Sequence, residues 1–153
     1  KFRKIIVVSS APQIRYPDCY GIDMAKLGDF IAFRAAISLL KKSPSGQDII
    51  QKTYQKCKAA MLQKKEDQIN HLKDLYVPFS NNEISKEVAN LLKTDNISTD
   101  FDIVFQKVED LQKACPNHRG DWYFTGDYPT AGGNMTANKS FIYYVEGNNA
   151  RAY

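Results

Sequence analysis

The sequence predicts an α/β protein in which helices flank a parallel sheet. The apolar run Ile5-Ile6-Val7-Val8 is short and β-branched, which is typical of an interior, buried strand of such a sheet. A second strand is predicted over 102–106, and a helix follows directly over 108–115. This succession of strand and helix is the usual rhythm of a parallel sheet. We therefore expect the first strand to end at the functional edge of this sheet, beyond the carboxyl ends of its strands.

The remaining elements follow from apolar spacing and from turn residues. Spacings of three and four residues predict a helix over 27–42 that lies on the sheet. A long helix is predicted over 48–76, about 40 Å in length at 1.5 Å per residue, and a third helix over 83–93. Residues 122–124 read as a brief strand, 131–133 as a flexible break and 134–147 as the last helix.

Composition and charge exclude several classes of protein. The chain has 153 residues with 43% hydrophobic content, which suits one domain, and no apolar run has the length that crosses a membrane. A net charge of +4, with most of the excess lysine in the middle of the chain, does not indicate a nucleic-acid-binding protein. The three cysteines predict a reducing compartment rather than a disulfide framework, so we expect a cytoplasmic location.

Two segments that lie far apart in the sequence each contain a distinctive motif. Residues 10–24 read S-A-P-x-I-R-Y-P-x-x-Y-G-I-D-M, in which Pro12 and Pro17 stiffen the loop after the first strand. Residues 124–130 read F-T-G-D-Y-P-T. Both segments, in this order, resemble the amidophosphoribosyltransferase family, the glutamine-dependent enzymes that open purine synthesis. The resemblance covers most of the chain outside residues 43–80.

The resemblance implies an α/β fold with a truncated phosphoribosyltransferase-type parallel sheet, flanking helices and a long helical insertion. Residues 1–153 would be the carboxy-terminal part of that domain, and 43–80 the insertion. The parent enzyme would transfer glutamine-derived ammonia to phosphoribosyl pyrophosphate, giving 5-phosphoribosylamine.

The resemblance also implies what this chain lacks. The acidic Gly-Thr-Thr loop that binds the donor, and most of the magnesium site, would precede Lys1, with the glutaminase part further upstream. We therefore expect no catalytic residue within 1–153 and an inactive fragment. Its expected partners are the missing upstream parts of its own chain and small-molecule substrates, within a homo-oligomer, with neither nucleic acid nor membrane.

Three residues are candidate site residues by resemblance. Tyr20 and Asp23 would lie on the acceptor and nucleotide side of the site, and Phe30 would line the path of ammonia between the two active sites. Two of the three also have a simpler interpretation. Asp23 follows Gly-Ile and can cap the next turn. Phe30 can be a contact between a helix and the sheet.

Metal sites are not expected. Some members of the family hold an iron–sulfur cluster with four cysteines, but the matching positions here are Asp18, Gly120 and Tyr123, so no cluster should form. The remaining pair, Cys115 and His118, supplies two ligands where a stable zinc site usually needs four, and a helix end before Pro116 explains it better. His71 on the predicted long helix reads as a boundary residue rather than a catalyst.

The insertion leaves a second function open. The chain could be an independent α/β regulatory or partner-binding module that uses the inserted helix and its lysines as the binding surface. The simpler interpretation is that this amphipathic helix covers its own protein's core. The truncated sheet also predicts an unpaired strand edge near residues 3–9 that invites association between copies.

Overall fold

The computed structural model describes residues 2–19, 24–117 and 120–152. It is a mixed α/β structure with strands β1 (Lys4–Ser9) and β2 (Asp100–Phe105). The α-helices are α1 (Ile31–Lys42), α2 (Gly46–Ala60), α3 (Asn81–Leu92), α4 (Val108–Ala114), α5 (Trp122–Thr125) and α6 (Ala131–Glu146). Short 3-10 turns cover Leu27–Asp29, Lys65–Asp67 and His71–Leu75. No helix of the described ranges is both long enough and apolar enough to cross a membrane.

The two strands pair in parallel, as the sequence predicts, and Val8 lies beside Val104 in the register. The prediction of a buried interior strand is wrong, however. Within the described residues the sheet has only these two strands, so β1 forms an edge. Ile6 and Val8 are 54% and 73% exposed, and Val104 is 51% exposed. Apolar content alone could not reveal that no described element covers this face of the sheet.

The core is built mainly by helices rather than by the sheet. Helix α1 packs against α3 and α2, α2 packs against α6, and α3 packs against β2. The largest fully buried side chains include Phe33, Leu40, Leu72, Ile84, Val88 and Phe141. The first predicted helix is divided, because Phe30 is extended and caps α1 after the 3-10 turn. Phe30 therefore sits at a joint between two elements.

The predicted long helix over 48–76 is wrong. Helix α2 ends at Ala60, and the amide of Gln68 folds back to donate a hydrogen bond to the Ala60 carbonyl. Asn70 then accepts a hydrogen bond from the Leu72 N–H, which starts a separate 3-10 turn. The Gln68 and Asn70 side chains thus bond to backbone groups that would otherwise form hydrogen bonds within a continuous helix. The spacing of apolar residues in the sequence does not show these side-chain hydrogen bonds.

The segment before α6 also differs from the prediction. Residues 122–124 belong to helix α5 rather than to a strand, because Gly126 ends that turn in the left-handed region with φ of 74°. Residues 131–133 are the first turn of α6 rather than a flexible break. Thr130 caps this helix by accepting a hydrogen bond from the Gly133 N–H at 3.2 Å.

Candidate functional site

The two motif segments, about a hundred residues apart, lie in direct contact. The backbone N–H groups of Arg15 and Tyr16 both donate to the Tyr123 carbonyl, at 2.8 and 3.1 Å. The Tyr128 hydroxyl donates to the Pro17 carbonyl at 2.5 Å. Burial raises the pKa of the Tyr128 phenol far above its usual range, so this hydroxyl keeps its proton and remains a donor. The loop after β1 is therefore held by the segment that precedes α6.

Gly126 is the closest point of this contact. A Cβ on this glycine would lie 2.8 Å from the ring of Tyr16 and 2.7 Å from the amide nitrogen of Asn70. The Gly126 carbonyl accepts a hydrogen bond from that same amide at 3.0 Å. Positive φ and close approach together require glycine here. The glycine of the second motif thus serves the packing between both motifs.

Two of the three predicted site residues fall outside the described ranges. These are Tyr20 and Asp23. Phe30 is described and is 7% exposed, packed in the main core. It also lines a cavity of about 360 Å³, together with Ser9, Pro12, Met24 and Asp29. Phe30 is therefore a core residue. It also borders a cavity with room for a small neutral molecule.

A second cavity, of about 480 Å³, lies at the carboxyl ends of both strands. We call it the Arg15 cavity. It is bordered by the loop after β1, the first turn of α3 and the end of β2. Its lining includes Gln13, Arg15, Asn81, Ser85, Phe105, Lys107, Glu109 and Phe124. In open α/β sheets ligands usually bind at this edge. The sequence did not indicate a role for Arg15 beyond its place in the first motif.

Neutral groups fix the Arg15 side chain. Its Nε and Nη2 donate to Gln13 Oε1 at 3.1 and 2.6 Å, and Nη2 also donates to Asn81 Oδ1. The guanidinium carbon lies 5.1 Å from the centre of the Tyr76 ring. Burial lowers the pKa of Arg15 from its ordinary value. The sequence signal is the Gln-x-Arg spacing, which puts both side chains on one side of an extended strand or loop.

Two of the three positions that match cluster cysteines by resemblance, Asp18 and Tyr123, lie next to each other. Asp18 is buried, and its side chain forms a hydrogen bond with that of Tyr123. Burial, and then the Asp18 carboxylate, raise the pKa of the Tyr123 phenol. Among the described residues no three His, Cys, Asp or Glu side chains are grouped so as to hold a metal ion. His118 lies outside the described ranges, and Cys115 is exposed.

The contacts of His71, Cys57 and the lysines of the predicted insertion indicate structural roles. His71 donates its backbone N–H to Asn138 at 3.0 Å, and burial lowers its side-chain pKa. Burial raises the pKa of the Cys57 thiol to about 12, so this thiol is not a nucleophile near neutral pH. In the predicted insertion, Thr53 and Cys57 face the core, while Lys58 pairs with Glu146. Helix α2 thus covers its own core.

Comparisons of the chain with protein-family models, with curated proteins and with solved structures found no match.

Proposed function

We propose that this chain is the carboxy-terminal part of the phosphoribosyltransferase domain of an amidophosphoribosyltransferase. The contact between the two motif segments is the observation that carries the proposal. Segments that resemble the same family, but lie far apart in sequence, join through Tyr128 and through Tyr123, the residue just before the second motif, around the loop after β1. A chance resemblance of two short stretches gives no reason for such a contact.

Asp18 and Tyr123 provide further support at the same contact. By resemblance, these positions hold cluster cysteines in some relatives, so they should be neighbours in any chain with that fold. Their side chains are hydrogen-bonded here. A polar pair in the place of two cluster ligands agrees with a branch of the family that has no cluster.

The chemistry of the proposed parent assigns a role to Phe30. Ammonia released from glutamine has to travel as the neutral molecule, and an apolar wall excludes the water that would protonate it. Phe30 and Met24 supply apolar surface to the cavity of about 360 Å³ beside the loop after β1. Tyr20 and Asp23 would face the acceptor side, and the donor diphosphate and its magnesium would bind in the upstream part of the parent chain.

Genetic complementation tests the proposal. The complete coding region that contains this chain is expressed in a bacterial strain that lacks its own amidophosphoribosyltransferase, on medium without purines. We expect growth from the complete region and none from residues 1–153 alone. A soluble, full-length product that supports no growth, or an upstream sequence without two acids followed by Gly-Thr-Thr, contradicts the proposal.

A further inference from the structure

The charge of Arg15 has no counter-ion in the described part of the chain. The ion pairs found there join other residues. Arg15 is instead held by the side-chain oxygens of Gln13 and Asn81, which are neutral. A half-buried cation with only neutral partners is less stable than one that meets an anion, since burial removes part of its hydration.

The Gln13 side-chain amide cannot exchange the positions of its oxygen and nitrogen without losing hydrogen bonds. Its Nε2 donates to the Asn81 carbonyl and to Ser85 Oγ, both at 2.8 Å. Both amide hydrogens are therefore used, and Oε1 is fixed as the acceptor for Arg15. Gln13 itself is 5% exposed, so the acceptor for Arg15 is a buried side chain with its other groups already paired. The guanidinium is consequently held in one place before any ligand arrives.

The guanidinium retains unused donors. An arginine side chain carries five N–H groups, and the hydrogen bonds in the described ranges use Nε and Nη2 only. The two hydrogens on Nη1 have no acceptor there. Such a pair of donors suits an oxygen of a carboxylate or phosphate group, with which arginine forms strong charge-assisted hydrogen bonds.

The rest of the Arg15 cavity fits an anion with an apolar body. Lys107 adds a second cation, and Phe105 and Phe124 supply apolar walls. Glu109 is the acidic residue of the lining, so the two cations outnumber it. The volume of about 480 Å³ is within the range of small-molecule sites.

We propose that the Arg15 cavity binds a small molecule through an anionic oxygen group, a phosphate or a carboxylate, that meets Arg15 and Lys107. This inference stands on the cavity itself and does not require the proposed function. Phosphate and carboxylate share the same recognition chemistry, so the experiment is designed to separate them.

The test is a titration of the ¹⁵N-labelled chain, followed by amide and arginine Nε–H resonances in NMR spectra. Phenyl phosphate and benzoate are added in separate series, with sodium chloride as the control for ionic strength. We expect saturable shifts at Arg15, Gln13 and Asn81 with one or both aromatic anions and not with chloride. The anion with the lower dissociation constant identifies the preferred group.

Matched variants separate this site from general charge attraction. Arg15→Gln should weaken binding by at least about tenfold, because it removes a charge-assisted contact. Arg34→Gln removes the same charge at an exposed site on α1 and should change affinity by less than about twofold. Asn81→Asp places a carboxylate next to Arg15 and should abolish binding while the fold is kept. This variant keeps the test decisive if Arg15→Gln is unstable.

The proposal is overturned by either of two results. One is the absence of saturable shifts with both anions. The other is equal affinity in the parent chain, Arg15→Gln and Asn81→Asp. Neither result depends on catalysis, so failure here is distinct from failure in the growth assay.

Discussion

At the scale of single residues, buried polar side chains hold the segment between α2 and α3 to the core. Asn138 is fully buried; its Oδ1 accepts from the His71 N–H at 3.0 Å, and its Nδ2 donates to the Ile69 carbonyl at 2.8 Å. One asparagine on α6 therefore satisfies two backbone groups of the chain opposite. The shape of this region depends on hydrogen bonds as well as on apolar packing.

Replacement of Asn138 by leucine should be strongly destabilising. The substitution is similar in size but removes the partner of two partly buried backbone groups, the His71 N–H and the Ile69 carbonyl, which costs roughly 1–3 kcal/mol in total. Urea unfolding measures the change in the free energy of unfolding. Asn82→Leu, at an exposed position, is the control and should change it by less than about 0.5 kcal/mol. Equal effects of both variants would contradict this role for Asn138.

Glu87 should make stability depend on pH. Burial alone would raise its pKa, but hydrogen bonds from Lys42, Ser38 and Asn90 outweigh that effect and lower the pKa below the ordinary 4.5. The unfolded chain therefore takes up the proton first as pH falls. The stability that Glu87 contributes is complete above the unfolded pKa and is lost as pH falls through the lower, folded pKa.

Urea midpoints between pH 7 and pH 3 test this assignment. We expect Glu87→Gln to remove part of the fall in stability at acid pH. Glu66→Gln, at an exposed carboxylate, should leave the profile unchanged. Parallel pH profiles for the parent chain and Glu87→Gln would show that the buried carboxylate has no such effect.

At the scale of elements, the joint between the two motifs depends on Gly126. Gly126→Ala should destabilise the chain by roughly 2–4 kcal/mol, because a Cβ meets the Tyr16 ring and φ is positive. Gly147 is a matched control, since its φ is also positive, at 68°, but nothing lies within 4 Å of an added Cβ. Gly147→Ala should cost about 1 kcal/mol, the backbone term alone. Thermal unfolding distinguishes the two, and equal costs would contradict the contact.

The sequence allows some of these elements to be predicted and not others. The start of α3 after Ser80 follows from a local capping pattern, and a parallel arrangement follows from the succession of strand and helix, although not the pairing of β1 with β2 itself. The end of α2 does not follow from a local pattern, because it depends on Gln68 reaching back to Ala60. The Arg15 cavity was missed for a similar reason, since Asn81 meets Arg15 only in the folded chain. Contacts across long sequence distances leave no local signal.

At the scale of the whole molecule, the sheet has an uncovered aliphatic face. Parallel sheets are normally covered on both faces, yet Ile6, Val8 and Val104 are more than half exposed. We therefore expect residues 1–153 to associate at high concentration. Light scattering should report a mass that rises with concentration, and Val8→Lys should reduce this association. A constant monomeric mass up to millimolar concentration would contradict the expectation.

We have proposed that this chain belongs to an enzyme that transfers ammonia from glutamine to phosphoribosyl pyrophosphate. Pyrophosphate release by the complete gene product, with magnesium and either glutamine or free ammonia, tests it most directly. We expect release with both nitrogen sources. We also expect Phe30→Ala to lower the glutamine-dependent rate several-fold more than the ammonia-dependent rate, whereas Phe30→Leu preserves both. Absence of pyrophosphate release by the folded wild-type protein with either nitrogen source would contradict the claim.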